Sequence, residues 1–207
     1  MAADRRESSD EEKIVRRFVI LPGIGGSGER HWQTLWERCD PAMRRFRPAS
    51  WDAPVLGQWI VALDEAVGEA GPSCILVAHS LACLLVANWS ARSSLAAAGA
   101  FLVSVPNPQS AAFPTSAAAS FTTVPAAPLR FPTRIVASGN DPFGSVIYQR
   151  RCAEQWGSRF IELSALGHIN AASGLGDWPE GLHLLREFAE EIERVGAVPP
   201  AKGERLA

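Results

Sequence analysis

The chain has 207 residues, 47% hydrophobic and 20% charged, with a formal net charge of −2. That length and composition suit a single globular domain with a sizeable core. A near-neutral chain lacks the basic surface that a nucleic-acid partner requires, and no segment approaches the roughly 20 apolar residues needed to span a bilayer.

Residues 1–13 are polar and charged, lack the apolar stretch of a signal peptide, and read as a disordered leader. Residues 198–207 (VPPAKGERLA) read as a disordered tail, which leaves 14–197 as the expected domain. Cys39, Cys74, Cys83 and Cys152 form no C-x-x-C pair and have no histidines at zinc-site spacing, so no metal site is expected. Reduced core thiols and a cytoplasmic location fit this usage.

Five short apolar runs, at 17–21 (RFVIL), 74–78 (CILVA), 100–105 (AFLVSV), 133–138 (TRIVAS) and 160–163 (FIEL), suit strands buried on both faces of a parallel sheet. A weaker run at 44–47 (RRFR) suits an edge strand. Helical patterns alternate with them. Residues 30–39 place Trp32, Leu35, Trp36 and Cys39 at helical spacing. Residues 55–70 place Leu56, Trp59, Ile60, Leu63 and Val67 on one face. Residues 81–90 are nearly all apolar, and 146–156 and 182–195 complete the series. The alternation predicts an α/β fold, a three-layer α/β/α sandwich around a mainly parallel sheet. One segment breaks the rhythm. Residues 106–132 are rich in Pro, Ala, Ser and Thr, and form either a lid over a site or a packed excursion.

The run Val77-Ala78-His79-Ser80-Leu81-Ala82 follows the strongest strand and opens the most apolar helix. It is a G-x-S-x-G variant with alanine at both flanks. A nucleophile elbow turns so sharply that its flanking residues must be small, and alanine meets that demand. The rival reading of Ser80 is a helix N-cap. In a serine-acid-histidine order, the next acidic residue after Ser80 is Asp141, just past the strand at 133–138. Of four histidines, His31 and His79 precede that acid and His183 lies within a helical pattern. His168, just after the last strand, remains as the general base, with Gly167 giving the loop freedom to turn.

Such chemistry needs a serine nucleophile, a histidine to take and return its proton, and an aspartate to orient the imidazole. It also needs two amide donors for the developing oxyanion. The N–H of Leu81 is one candidate. The other is the N–H of Ile24, in a loop shaped by Gly23 and Gly25. Gly23, Gly25 and Gly28 also match G-x-G-x-x-G, but no acidic residue closes a second strand about twenty residues on, and the Lys of a P-loop is absent. No cofactor is expected. Trp51 and Phe113 fall in loops able to line a pocket.

Taken together, the Leu-Pro-Gly strand end, the Gly-rich turn, His31-Trp32, the Ala-flanked serine, Gly-Asn-Asp-Pro and Gly-His-Ile-Asn resemble the retinoblastoma-binding-protein-9-like family of small serine hydrolases. The resemblance covers roughly residues 17–189. It implies a minimal α/β-hydrolase fold with six strands ordered 2-1-3-4-5-6. It places the catalytic positions on Ser80, Asp141 and His168, and a family motif near the pocket mouth on His31 and Trp32. A histidine that starts a helix and makes a structural bond is the other reading of His31. The function expected is hydrolysis of a small ester or amide through a Ser80 acyl-enzyme. The alternative is a protein-interaction module on a hydrolase fold, with weak or vestigial activity and a protein partner.

Overall fold

A computed structural model of the chain describes residues 17–196. The expected leader and tail lie outside the described residues, as do 14–16 and 197 at the ends of the expected domain. Six strands form one sheet: β1 (Phe18–Leu21), β2 (Met43–Arg45), β3 (Ile75–His79), β4 (Gly99–Val103), β5 (Thr133–Ser138) and β6 (Arg159–Leu163). Their order is β2-β1-β3-β4-β5-β6 and every pairing is parallel, as the 2-1-3-4-5-6 expectation required. The helices are α1 (Trp32–Cys39), α2 (Leu56–Ala70), α3 (Leu81–Arg92), α4 (Val146–Trp156) and α5 (Pro179–Gly196).

Alternation along the strands divides the core in two. Val19, Leu21, Leu76, Ala78 and Leu102 point toward the layer built by α2, α3 and α4. Ile20, Ile75, Val77, Phe101 and Val103 point the other way, onto Trp32, Trp36, Leu185 and Phe188 of α1 and α5. The central strands are apolar on both faces because both faces are covered. Helix α3 is buried along most of its length, which accounts for its lack of a polar face.

Several boundaries differ from the sequence reading, each for a local reason. Helix α1 starts at Trp32 because His31 is its N-cap, the imidazole accepting a bond from the Gln33 N–H. Strand β4 stops at Val103 because Ser104 has φ 57°, outside strand geometry. Helix α5 begins three residues earlier than expected, with Pro179 at its first position, where a missing N–H costs nothing. The expected core placement of all four thiols needs correction: Cys74, Cys83 and Cys152 are buried, but Cys39 is exposed at the end of α1. The buried face of that helix is Trp32, Gln33 and Trp36 instead. Gln33 is buried because its amide donates to the carbonyls of both Leu21 and Val77, bridging β1 and β3.

The segment 106–132 is tied down at several points. The Ser120 hydroxyl accepts from the Leu56 N–H at the start of α2, Thr123 O accepts from the Asn88 side chain on α3, and Pro125 O accepts from the Trp156 indole on α4. Its own Phe113, Phe121 and Phe131 are buried. Among the described residues no helix is long and apolar enough to cross a membrane.

Candidate active site

Strand β3 runs into α3 through Ser80, whose backbone sits at φ 56°, ψ −125°. A non-glycine residue there carries about 1–3 kcal/mol of strain that the surroundings must hold in place. They do so with two main-chain bonds: the Ser80 N–H donates to Val103 O at 3.0 Å, and Ser80 O accepts from the Cys83 N–H at 2.9 Å. Ala78 and Ala82 are wholly buried, so the flanking positions have no room for larger side chains. The Ser80 hydroxyl makes no capping bond to α3, which separates the elbow from the N-cap reading. It lies instead 2.8 Å from His168 Nε2.

Across the imidazole, His168 Nδ1 lies 2.8 Å from Asp141 Oδ1 and 3.0 Å from Oδ2. A carboxylate only accepts, so Nδ1 carries the proton and Nε2 is free to accept from the serine hydroxyl. The Asp141 side chain is fully buried, and its Oδ1 also accepts from the Phe143 N–H. The Phe143 ring packs 4.4 Å from the His168 ring. The three residues therefore come from the ends of β3, β5 and β6, all on the same edge of the sheet.

Two residues that line the cleft with Ser80, Leu81 and Ile24, have amides unpaired among the described residues. As the first residue of α3, Leu81 has an N–H with no intrahelical acceptor. In the loop after β1, the Gly25 and Gly26 N–H groups donate to Trp51 O and Gly23 O. The Ile24 N–H between Gly23 and Gly25 has no acceptor among the described residues. Gly23 packs directly against Ser80, His79 and Leu81, which brings the Ile24 loop onto the elbow.

A cleft of about 530 Å³ opens over these groups. Ile24, Leu81, Phe113 and Phe143 supply apolar walls, with Pro106 and Pro114 of the long excursion. No Lys, Arg, Asp or Glu is among the residues that line it. His31 lines the cleft as well as capping α1, so its two sequence readings coexist. Trp32 does not line the cleft: its indole donates to Ile169 O at 2.8 Å from behind. Trp51 also lies outside it, packed edge-on against Phe46 and Trp59. Among the described residues, no group of three His, Cys, Asp or Glu is placed to hold a metal ion.

The sequence reading passed over His79. It is largely buried in the wall of the cleft, and its Nε2 donates to the carbonyl of His168 at 2.9 Å. Strand alternation carries the signal: Ala78 faces α3, so His79 must face the opposite layer, where the β6 loop runs. Burial lowers the His79 pKa well below its usual 6.5, with the nearby imidazoles of His31 and His168 adding to the shift. Burial, Arg45 and His168 likewise lower His31 to about 4. Both rings are therefore neutral near pH 7.

The pattern that defines the serine hydrolase family matches residues 18–187, and the chain belongs to that family. A YdeN-like hydrolase from Pectobacterium atrosepticum is 31% identical, over 86% of this chain and 92% of that one, with a TM-score of 0.76. The ydeN gene product of B. subtilis has the same fold at 21% identity, with 84% of this chain and 99% of that one covered and a TM-score of 0.68. An esterase from a Rhodococcus species shares the fold at 14% identity, over 86% of this chain and 91% of that one, with a TM-score of 0.63. No curated protein matches the sequence.

Proposed function

We propose that this serine hydrolase cleaves a small, uncharged ester or amide through an acyl-enzyme on Ser80, with His168 as general base and acid and Asp141 as its orienting partner. The observation that carries the reading is the unbroken relay from Ser80 Oγ to His168 Nε2, and from His168 Nδ1 to Asp141. In the first half-reaction the Ser80 oxygen attacks the substrate carbonyl while its proton passes to His168 Nε2. The C–O or C–N bond then breaks, and the same proton goes to the leaving group. Water repeats the sequence on the acyl-enzyme and releases the acid. The Ile24 and Leu81 amides would bind the oxygen that becomes negative.

The size and walls of the cleft support a compact apolar substrate, and its lack of charged side chains supports one without a charge. Phe113 and Gly23 have roles here, one as a wall and one as the close approach beside the oxyanion site. Within the serine hydrolases, the quoted motifs support a place in the retinoblastoma-binding-protein-9-like branch, and the unpaired cysteines support a reducing compartment such as the cytoplasm. A fluorophosphonate probe tests the reading. Labelling of the wild-type chain and none of Ser80→Ala, with p-nitrophenyl ester turnover lost in His168→Ala, is the expected result. Labelling that survives Ser80→Ala overturns it, and an inert wild-type chain overturns it in favour of the interaction-module alternative.

A further inference from the structure

His168 sits in a loop with an unusual backbone. Its neighbours Gly167 and Ile169 both have left-handed φ values, 62° and 47°. Glycine accepts this freely, but a β-branched isoleucine does not, so the turn must be held by its surroundings. Four side chains hold it, one on each of four successive residues. Ser138 Oγ accepts from the Leu166 N–H at 2.9 Å, and Asn140 Oδ1 accepts from the Gly167 N–H at 2.7 Å. His79 Nε2 donates to His168 O at 2.9 Å, and Trp32 Nε1 donates to Ile169 O at 2.8 Å.

Two of these side chains are chain neighbours of the other two members of the relay. His79 precedes Ser80, and Asn140 precedes Asp141. The segments that carry the nucleophile and the acid thus each grip the backbone around the imidazole that must reach both. A carbonyl oxygen has no proton to give, so the His79–His168 bond requires His79 as the Nε2–H tautomer. The bond is buried and joins residues 89 apart in sequence.

We propose that His79 and Asn140 are positioning residues for His168, fixing its ring between Ser80 and Asp141 through the bonds they make to its loop backbone. The proposal rests on the reading of Ser80, His168 and Asp141 as the reacting groups. It separates positioning from mere stability, because a misplacement of about 1 Å in such a site can cost about 10²-fold in rate while the fold stays intact.

The test uses the full chain with His79→Leu, which removes the donor, and His79→Gln, whose side-chain amide can replace it. Fluorophosphonate labelling counts the reactive sites and gives their rate. The expected result for His79→Leu is complete labelling at about one-hundredth of the wild-type rate, with kcat lowered and KM for a small ester nearly unchanged. His79→Gln should recover most of the loss. Asn140→Ala, at an exposed side chain, should slow labelling in the same way and provides a variant with little risk to folding. A second readout needs no turnover: the proton NMR signal of the His168 Nδ1–H bonded to Asp141. It should persist in wild type and His79→Gln and broaden or shift in His79→Leu and Asn140→Ala. Wild-type labelling rates in His79→Leu and Asn140→Ala, equal slowing in His79→Gln and His79→Leu, or an NMR signal unmoved in His79→Leu and Asn140→Ala would overturn the proposal. A wild-type chain that is never labelled, yet shows the expected NMR pattern, removes the Ser80 reading and leaves the positioning one.

Discussion

Gly23 backs onto Ser80 so closely that a Cβ added to it would stand 3.0 Å from the Ser80 Cβ, with His79 O at 3.1 Å and Leu81 N at 3.4 Å. The loop after β1 therefore rests on the elbow with only a glycine between them. Gly23→Ala should push the Ile24 amide away from the oxyanion site. Loss of one such donor lowers kcat by about 10²–10³-fold. Steady-state kinetics on p-nitrophenyl butyrate, with the urea midpoint as a control for folding, give the measurement. Unchanged kcat in a folded Gly23→Ala chain would remove Ile24 from its proposed role.

The backbone of Ser80 predicts an order of stabilities. Ser80→Ala and Ser80→Gly both delete the hydroxyl, but only glycine accepts φ 56° without strain. Ser80→Gly should therefore be more stable than Ser80→Ala by about 1 kcal/mol, read from urea denaturation. Both should lose ester hydrolysis by about 10⁴-fold or more.

Acid should weaken the fold through the two buried imidazoles. His31 is held down to about 4 by burial, Arg45 and His168, and His79 well below 6.5 chiefly by burial. Between those values and 6.5 the unfolded chain binds more protons than the folded one, so stability falls as pH falls through that window. The His31 contribution is fully lost only below its folded value, and amounts to about 3 kcal/mol. His31→Asn keeps an oxygen to accept the Gln33 N–H but cannot titrate. Urea denaturation at about pH 7 and about pH 4.5 should show a smaller acid loss in His31→Asn than in wild type. Equal losses would mean that His31 is not the group responsible.

Phe113 is only 5% exposed, yet it lines the cleft. Phe113→Ala should enlarge the cleft and move the preferred substrate from short toward longer p-nitrophenyl acyl esters. The same truncation should lower stability by about 3 kcal/mol or somewhat more. An unchanged acyl-chain profile in the folded variant would place the acyl group elsewhere in the cleft.

Five strands were legible in the sequence as short runs rich in apolar residues between turn residues, the central ones because they are buried on both faces; the second was only a weak basic run, and the strand order came through the family resemblance alone. The relay residues were legible for a different reason: the chain from Leu81 to Asn140 has no acid, and only His168 follows Asp141 at a strand end. Geometry that depends on side-chain direction was not. Trp51 and Trp32 look alike as aromatic residues near loops, but one packs on Phe46 and Trp59 and the other reaches back to Ile169 O. His79 was hidden by the motif itself, which treats the position before the serine as unspecified. Cys39 follows the apolar spacing of α1, but that spacing was misread because a polar residue, Gln33, occupies part of the buried face.

The excursion at 106–132 carries a consequence for how this protein can change. Its Pro106, Phe113 and Pro114 form part of the cleft wall, while Ser120, Thr123 and Pro125 bind it to three helices. Drift toward new substrates must therefore pass through residues that also hold the helical layer together. Adaptation of this cleft is coupled to robustness, and altered specificity should arise most readily in backgrounds already carrying stabilising substitutions elsewhere.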